Sequence, residues 1–376
     1  MAGIYIHIPF CKQACFYCDF HFSTNMVIKN EMVDAICKEI EIQKDYLKGE
    51  VVESVYFGGG TPSLLDPNQI QKILSTLNEF HTISNTSEIT FEANPDDIKP
   101  EKLKILYDLG INRLSVGIQS FNEEILKWMN RAHNSAEAFQ SLKWIKESDF
   151  SNYSLDLIYG IPIASHEIWA EDLRRLVAFE PPHISSYCLT IEPNTVFGRW
   201  QQKGKLDEAS EDYAAEQFQY LTAYLKKHNY EHYEVSNFAK KGFRSQHNSS
   251  YWQQKAYLGL GPSAHSFNGI NRQFNINNNA KYLRAIKLGQ LPAEMDILNN
   301  EDRINEYIMT SLRTIEGCSL DYLSQEHDYD LMKNAKPQIQ QWIGLKLCTL
   351  QNNYLKLTTK GRLLADKLAS DLFVVN

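Results

Sequence analysis

The sequence predicts an α/β fold: a partial, open (β/α)6 barrel followed by a mostly helical, winged-helix-like unit at the C-terminus. Three observations predict it. Six strand-like runs alternate with helix-like stretches between residues 1 and 200, the order that builds a parallel sheet. Glycine, proline and polar residues follow the strands at their C-terminal ends, the face where parallel α/β folds bind ligands. From about residue 301 the pattern changes to closely spaced helices with short strands between them. Six units are too few to close an eight-stranded barrel, so the sheet is expected to stay open.

The elements follow in order. Residues 3–9 (GIYIHIP) alternate as a strand and run straight into a cysteine-bearing loop. Ile28, Met32, Ile36, Ile40 and Leu47 recur at helical spacing over 28–47. VVESVYF (51–57) is a strand ending on Gly58-Gly59-Gly60-Thr61-Pro62, and the helix over 67–80 opens on Pro67. SEITFEAN (87–94) is a strand stopped by Pro95, and a helix over 100–109 closes on Gly110. INRLSVGI (111–118), helices near 122–129 and 135–148, NYSLDLIY (152–159), a helix over 166–179 and HISSYCLT (183–190) complete the series. Residues 191–300 are less regular. They hold an acidic amphipathic helix near 209–228, a polar strand candidate YEHYEVSNF and an asparagine-rich loop NINNNAK. The expected division is a barrel over 1–200, an extension and connecting region over 201–300, and a C-terminal unit over 301–376.

Composition excludes several function classes. A chain of 376 residues suits one large α/β domain with a smaller companion. Hydrophobic residues at 43% and charged residues at 22% provide for a buried core and argue against disorder. With 38 Lys and Arg against 46 Asp and Glu, the formal charge of -8 gives no general attraction for nucleic acid or anionic lipid. That weighs against DNA binding by the winged-helix-like tail. No run approaches the roughly 18–20 apolar residues of a membrane span. MAGIYIHIPFCKQ lacks the basic start of a signal peptide, and His7 and Pro9 interrupt its apolar stretch. The expectation is a cytoplasmic protein with no nucleic-acid partner and no stable membrane insertion.

Seven cysteines are unevenly spread, with three inside one short loop. Cys37, Cys188, Cys318 and Cys348 are scattered and read as small buried hydrophobes. In a reducing compartment the cluster points to metal or redox chemistry. Cys11-Lys-Gln-Ala-Cys15-Phe-Tyr-Cys18 has the spacing C-x3-C-x2-C. Three thiolates on one loop can hold three irons of a cubane and leave the fourth iron open, as catalytic metal sites do. Spacing alone leaves two alternatives standing: a zinc loop completed by His7, Asp19 or His21, and a redox pair of Cys15 and Cys18.

The other strand ends carry polar candidates, each with a plainer reading. Gly59, Gly60 and Thr61 let backbone approach a ligand, or simply form a tight turn. Glu92 in FEANPD can accept hydrogen bonds from hydroxyls or an amine, or be a solvated strand-end charge. Gln119 and Asp156 occupy equivalent strand ends, and Asp156, between two leucines, would need partners if buried. Arg131 can pair with a carboxylate, or lie on the surface beyond a helix. His247-Asn248-Ser249-Ser250-Tyr251-Trp252 offers His247 and Tyr251 as haem ligands. Its plainer reading, the favoured one, is a structural turn that caps the barrel. YLGLGPSAHSF reads equally as packing and turn.

HIPFCKQACFYCDF resembles the cluster loop of radical SAM proteins in the coproporphyrinogen-dehydrogenase and haem-chaperone group, down to Tyr17 before the last cysteine. The resemblance runs through GGGTP, FEANPD, GIQSFN, DLIYGIP, HNSSYW and the tail, and covers nearly the whole chain. It implies a radical SAM barrel with a [4Fe-4S] cluster on Cys11, Cys15 and Cys18 and S-adenosylmethionine (SAM) on the open iron. It also implies SAM contacts at Tyr5, Gly59, Gly60, Thr61, Glu92, Gln119, Arg131 and Asp156. The dehydrogenases carry a further cysteine two residues after the third, where this chain has Phe20, and an arm ahead of the cluster strand. Both differences, with HNSSYW, imply the haem-chaperone branch. The expectation is a protein that binds haem and delivers it to haem-accepting proteins. The alternative is an oxygen-independent coproporphyrinogen III dehydrogenase, an oxidative decarboxylase of porphyrin biosynthesis.

Overall fold

The computed structural model describes residues 2–375. Strand and helix alternate as the hydrophobic periods require: β1 Ala2–Ile8, α1 Lys29–Ile42, β2 Val52–Gly59, α2 Pro67–Phe80, β3 Ile83–Ala93, α3 Pro100–Asp108, β4 Arg113–Gln119. Two helices then intervene, α4 Glu123–Trp128 and α5 Ser135–Glu147, before β5 Tyr153–Tyr159, α6 His166–Ala178 and β6 His183–Cys188. Helix starts follow local chemistry: Asp66 and Gln69 form a reciprocal capping box at α2, with Pro67 in the first turn, and Asn134 with Glu137 does the same at α5. β1 to β6 pair in sequence order, all parallel. This is the partial (β/α)6 barrel, and the apolar faces of α1, α2, α3, α5 and α6 pack on its outside in one continuous core, while Ile125 of α4 joins a smaller separate cluster with Ile158 and Ile161.

The next stretch widens the sheet at both edges. After α7 Val196–Gln202 and α8 Glu211–Lys227, the short strand β7 Glu231–His232 pairs antiparallel with β8 Asn237–Ala239, which in turn pairs antiparallel with β6. The sequence suggested one strand over YEHYEVSNF. It breaks instead, because Tyr233 turns inward and its hydroxyl meets His183 Nε2 at 2.8 Å. After α9 Gln246–Trp252, β9 Tyr257–Leu260 runs parallel to β1, and β10 His265–Phe267, β11 Arg272–Asn275 and, beyond α10 Asn279–Lys287, β12 Ala293–Asp296 follow antiparallel. Part of the NINNNAK loop is therefore helix, started by Asn278, whose side chain accepts from Lys281 N.

The C-terminal unit has its own core. It runs α11 Asn300–Leu312, β13 Cys318–Ser319, α12 Leu320–His327, α13 Leu331–Gly344, the hairpin β14 Cys348–Gln351 and β15 Tyr354–Leu357, then α14 Thr359–Arg362 and α15 Ala365–Ser370. Three helices followed by a hairpin, with β13 paired to β15, give the winged-helix arrangement. Among the described residues no helix is long and apolar enough to cross a membrane.

Two buried polar clusters fix the barrel. At its floor the N-terminus of α9 points at Glu88, whose carboxylate accepts from the N–H groups of Gln246 and His247 at 3.1 Å each. On the open side Glu39 of α1 is fully buried and its carboxylate accepts from four donors. These are Gly261 N at 2.7 Å, Tyr282 Oη at 2.6 Å, Asn275 Nδ2 at 2.6 Å and Gln43 Nε2 at 2.9 Å. One side chain thus ties α1 to β11, α10 and the turn after β9. We expect Glu39→Ala to destabilise the protein by about 3 kcal/mol or more, since each buried donor left unpaired costs about 1–3 kcal/mol. Urea unfolding should show a lowered midpoint; a shift within the error of the parent curve would contradict this reading.

Candidate functional site

Cys11, Cys15 and Cys18 lie on the loop that leaves β1 at the C-terminal mouth of the barrel, all three half-buried and none in a disulfide. The loop is fastened along its length. Cys11 N donates to Ser23 O at 3.1 Å and Phe16 N to Met129 O at 3.0 Å. Asn130, in the left-handed conformation at φ 56, donates through Nδ2 to Ala14 O at 2.8 Å and accepts from Gln13 Nε2 at 2.7 Å. Lys12 pairs with Asp96 at 2.6 Å and with Asp97.

The thiols are joined to neighbouring strand ends. Thr61 Oγ1 donates to Cys11 Sγ at 3.5 Å. Arg131 Nη1 donates to Cys15 Sγ at 3.4 Å and to Tyr17 Oη at 3.2 Å, while Nη2 donates to Asn94 Oδ1 and Gly117 O, both at 2.8 Å. Arg131 therefore binds the cysteine loop to β3 and β4. It is not a surface arginine, and an anion in the cleft meets it with both terminal nitrogens already engaged.

The cleft beneath the loop, about 390 Å³, is lined by Cys18 together with Gly59, Gly60, Thr61, Glu92, Gln119, Arg131 and Asp156. The glycines serve the protein as well as the space. A Cβ on Gly59, at φ 102, would sit 2.5 Å from His7 Nδ1, and one on Gly60 would sit 2.5 Å from Phe10 O. Gly60 N and Thr61 N donate to Ile8 O at 2.9 Å and Phe10 O at 2.6 Å, which locks the end of β2 onto the start of the cysteine loop. Gln119 sits at φ 66, where the register between β4 and β5 shifts. A non-glycine residue held there is strained, a feature that gathers at functional sites.

Two carboxylates face this cleft. Glu92 Oε1 accepts from Tyr56 Oη at 2.7 Å. Burial, then the nearby Asp156 charge, pushes its pKa up to about 7 despite that hydrogen bond. Asp156 accepts from Ser154 Oγ at 3.0 Å and Ser115 Oγ at 3.2 Å, and burial raises it to about 6. Such a pair can receive hydroxyl or amine donors, and a cation beside it would restore full ionisation.

Three expectations are corrected by the geometry. Tyr5 does not line this cleft; its hydroxyl meets His7 Nδ1 at 3.1 Å, and its ring lines the neighbouring cavity. His247 is buried in the barrel, with Nδ1 at 2.9 Å from Ser54 Oγ and Nε2 at 2.9 Å from Tyr251 Oη. Both ring nitrogens are taken, so it offers none to a haem iron, and HNSSYW is a capping segment. Cys188 is not a buried hydrophobe but an exposed residue at the end of β6, on the cleft wall. Asn94, Tyr56 and Asn130 escaped the sequence reading. Tyr56 shares the inward-facing period of Ser54, and Asn94 marks the strand stop before Pro95, signals that were present but carried no chemistry by themselves.

A family model described as the radical SAM superfamily matches residues 5–176, and one described as the HemN C-terminal domain matches residues 298–364. The chain is 32% identical to the heme chaperone HemW of Lactococcus lactis, over 95% of this chain and 93% of that protein. It is 32% identical to the heme chaperone HemW of Bacillus subtilis, over 98% of each chain. Against the solved structure of the Escherichia coli coproporphyrinogen III oxidase HemN, a radical SAM enzyme, the TM-score is 0.85 at 24% identity, over 99% of this chain and 90% of that one. At that identity the likeness shows the fold alone.

The raised carboxylates make stability pH-dependent. Glu92 titrates near 7 folded against 4.5 unfolded, so the folded state holds the extra proton between those values and loses stability as pH rises through them. Asp156 acts in the same direction between 3.8 and about 6. We expect the stability of Glu92→Gln relative to the parent to increase between about pH 5 and about pH 8 in urea titrations of the metal-free protein. A constant or decreasing difference would contradict it.

Proposed function

The chain belongs to the HemW family of radical SAM proteins, and from that premise we propose that it takes up haem and delivers it to haem-requiring proteins, using a [4Fe-4S] cluster on Cys11, Cys15 and Cys18 and SAM in the adjoining cleft. Membership of a radical SAM family implies the cluster and SAM. The observation that carries the residue assignment is the bridging of a three-thiol loop to a polar cleft by Thr61 and Arg131.

The donor set suits a cubane. Among the described residues no three His, Cys, Asp or Glu side chains converge to hold one metal ion. A single tetrahedral zinc needs all its ligands about 2.0–2.3 Å from one point, whereas a cubane takes each thiolate on a different iron. The match to the radical SAM superfamily model over residues 5–176 supports a cluster over a zinc loop. When bound, cluster and SAM together supply one-electron cleavage of the sulfonium.

This chain's own residues hold and orient. Thr61 and Arg131 donate to two of the three sulfurs, which stabilises sulfur-centred negative charge. The backbone of Gly59 and Gly60 would hold the methionyl amine of SAM. Glu92 and Asp156 would accept from the ribose hydroxyls of SAM or from that amine. Gln119 closes the wall. Arg131 acts first as a positioning residue for Cys15, and a SAM carboxylate is drawn toward its charge.

Phe20 stands where the dehydrogenases carry a further cysteine, is 70% exposed, and removes a thiol from the space over the cleft. The test sets haem against coproporphyrinogen III, the substrate of the alternative activity. Anaerobically reconstituted protein titrated with haem should give a red-shifted Soret band that saturates at a fixed stoichiometry. With SAM, a reductant and coproporphyrinogen III it should form no protoporphyrinogen. SAM-dependent formation of protoporphyrinogen over many turnovers would overturn the proposal.

A further inference from the structure

Asn94 follows the last residue of β3 and precedes Pro95. It stands at the N-terminal end of the single turn Pro95–Asp97, a position from which an asparagine side chain commonly caps the N–H groups ahead of it. It makes no such bond. The backbone supports the turn instead, with Asn94 O accepting from Asp97 N at 3.0 Å. The half-buried amide side chain is used elsewhere, on the wall of the cleft beneath the cysteine loop.

Both ends of that amide are engaged. Oδ1 accepts from Arg131 Nη2 at 2.8 Å, and Nδ2 donates to Thr61 Oγ1 at 3.3 Å. A guanidinium has donors only, so the amide oxygen must face Arg131 and the NH2 group must face Thr61. This in turn orients the threonine. A hydroxyl carries one hydrogen, and with Nδ2–H on a lone pair of Oγ1 that hydrogen is left for Cys11 Sγ at 3.5 Å. Thr61 is buried, which keeps water from competing for it. The other arm ends in the same way, with Arg131 Nη1 donating to Cys15 Sγ at 3.4 Å. Three side chains thus link two thiols in one chain, with the amide at its centre. Every hydrogen bond in it runs away from the guanidinium, and each end is a sulfur acceptor.

The chain needs an acceptor and a donor on one short side chain. Aspartate would offer acceptors to both neighbours and draw the Thr61 hydrogen away from Cys11. Leucine, close in shape, would offer neither bond. Hydrogen bonds to cysteine sulfur favour the more negative, reduced state of an iron–sulfur cluster and are among the factors that set its potential. Residues that orient the groups around a metal tune it through those groups.

We infer that Asn94 is a positioning residue for the cluster, turning the Thr61 hydroxyl onto Cys11 and seating Arg131 against Cys15, and that it thereby raises the cluster's reduction potential. Among the described residues Asn94 bonds to no sulfur itself; it acts through its two neighbours. The inference rests on the reading of Cys11, Cys15 and Cys18 as cluster ligands.

The test is a redox titration of the full-length, anaerobically reconstituted protein without SAM, read by the electron paramagnetic resonance signal of the reduced cluster. Every variant is checked for iron and sulfide content and by far-UV circular dichroism. Asn94→Leu and Thr61→Val should each shift the potential to a more negative value, while Thr61→Ser, which keeps the hydroxyl, should hold the parent value. Asn94→Asp keeps the acceptor for Arg131 and reverses only the bond to Thr61. Its negative shift should be larger in the parent than in the Thr61→Val background, where its charge acts alone. This comparison decides the matter even if Asn94→Leu fails to fold or to take up iron. Equal Asn94→Asp shifts in the two backgrounds, or an Asn94→Leu potential within error of the parent, would overturn the inference and leave the cluster reading standing. A parent protein that takes up no iron–sulfur cluster would remove that reading and this inference together.

Discussion

The mouth of this barrel is organised by the Arg131 guanidinium. It holds a thiol, a phenol, an amide oxygen and a backbone carbonyl at once, on three separate segments. Removing a charge so heavily bonded would leave several partners unsatisfied and free the cysteine loop from β3 and β4. The loop needs such a tether because sequence alone gives it little regular structure: eight residues from Cys11 to Cys18 form no helix or strand. Asn130, next to Arg131, adds the second fastening through Ala14 and Gln13. The short stretch after α4 thus fastens the cysteine loop at two adjacent residues, Asn130 and Arg131.

That anchoring sets two spaces side by side. On one side lies the polar cleft with Glu92 and Asp156, on the other the aromatic cavity walled by the β9–β11 sheet and α11. The barrel floor is closed by α9, with Glu88 on its N-terminus and His247 locked between Ser54 and Tyr251. The C-terminal unit contributes Arg313 and Glu306 to the second space, so it forms part of a cavity wall as well as a packing module.

Much of this was legible in the sequence, where the signal was periodic. The six strand–helix units emerge from alternation and helical spacing, and α2 spans the same residues that the proline start and apolar period indicate. The cysteine spacing and the polar strand ends pointed to one face because parallel strands bring their C-terminal ends together. Long-range pairing was not legible. Nothing local says that Tyr56 bonds Glu92 or that Arg131 reaches Cys15 over 116 positions. His247 looked like a ligand because an isolated histidine in a polar motif carries no sign of burial; only the fold shows both nitrogens spent.

We propose that the three-cysteine loop carries a cluster with one iron open to SAM in the neighbouring cleft. Electron paramagnetic resonance of the anaerobically reconstituted, reduced protein tests it most directly. We expect the signal of a one-electron-reduced [4Fe-4S] cluster whose g-values shift when SAM is added. A signal unchanged by saturating SAM, or stoichiometric zinc with no iron–sulfur signal, would contradict it.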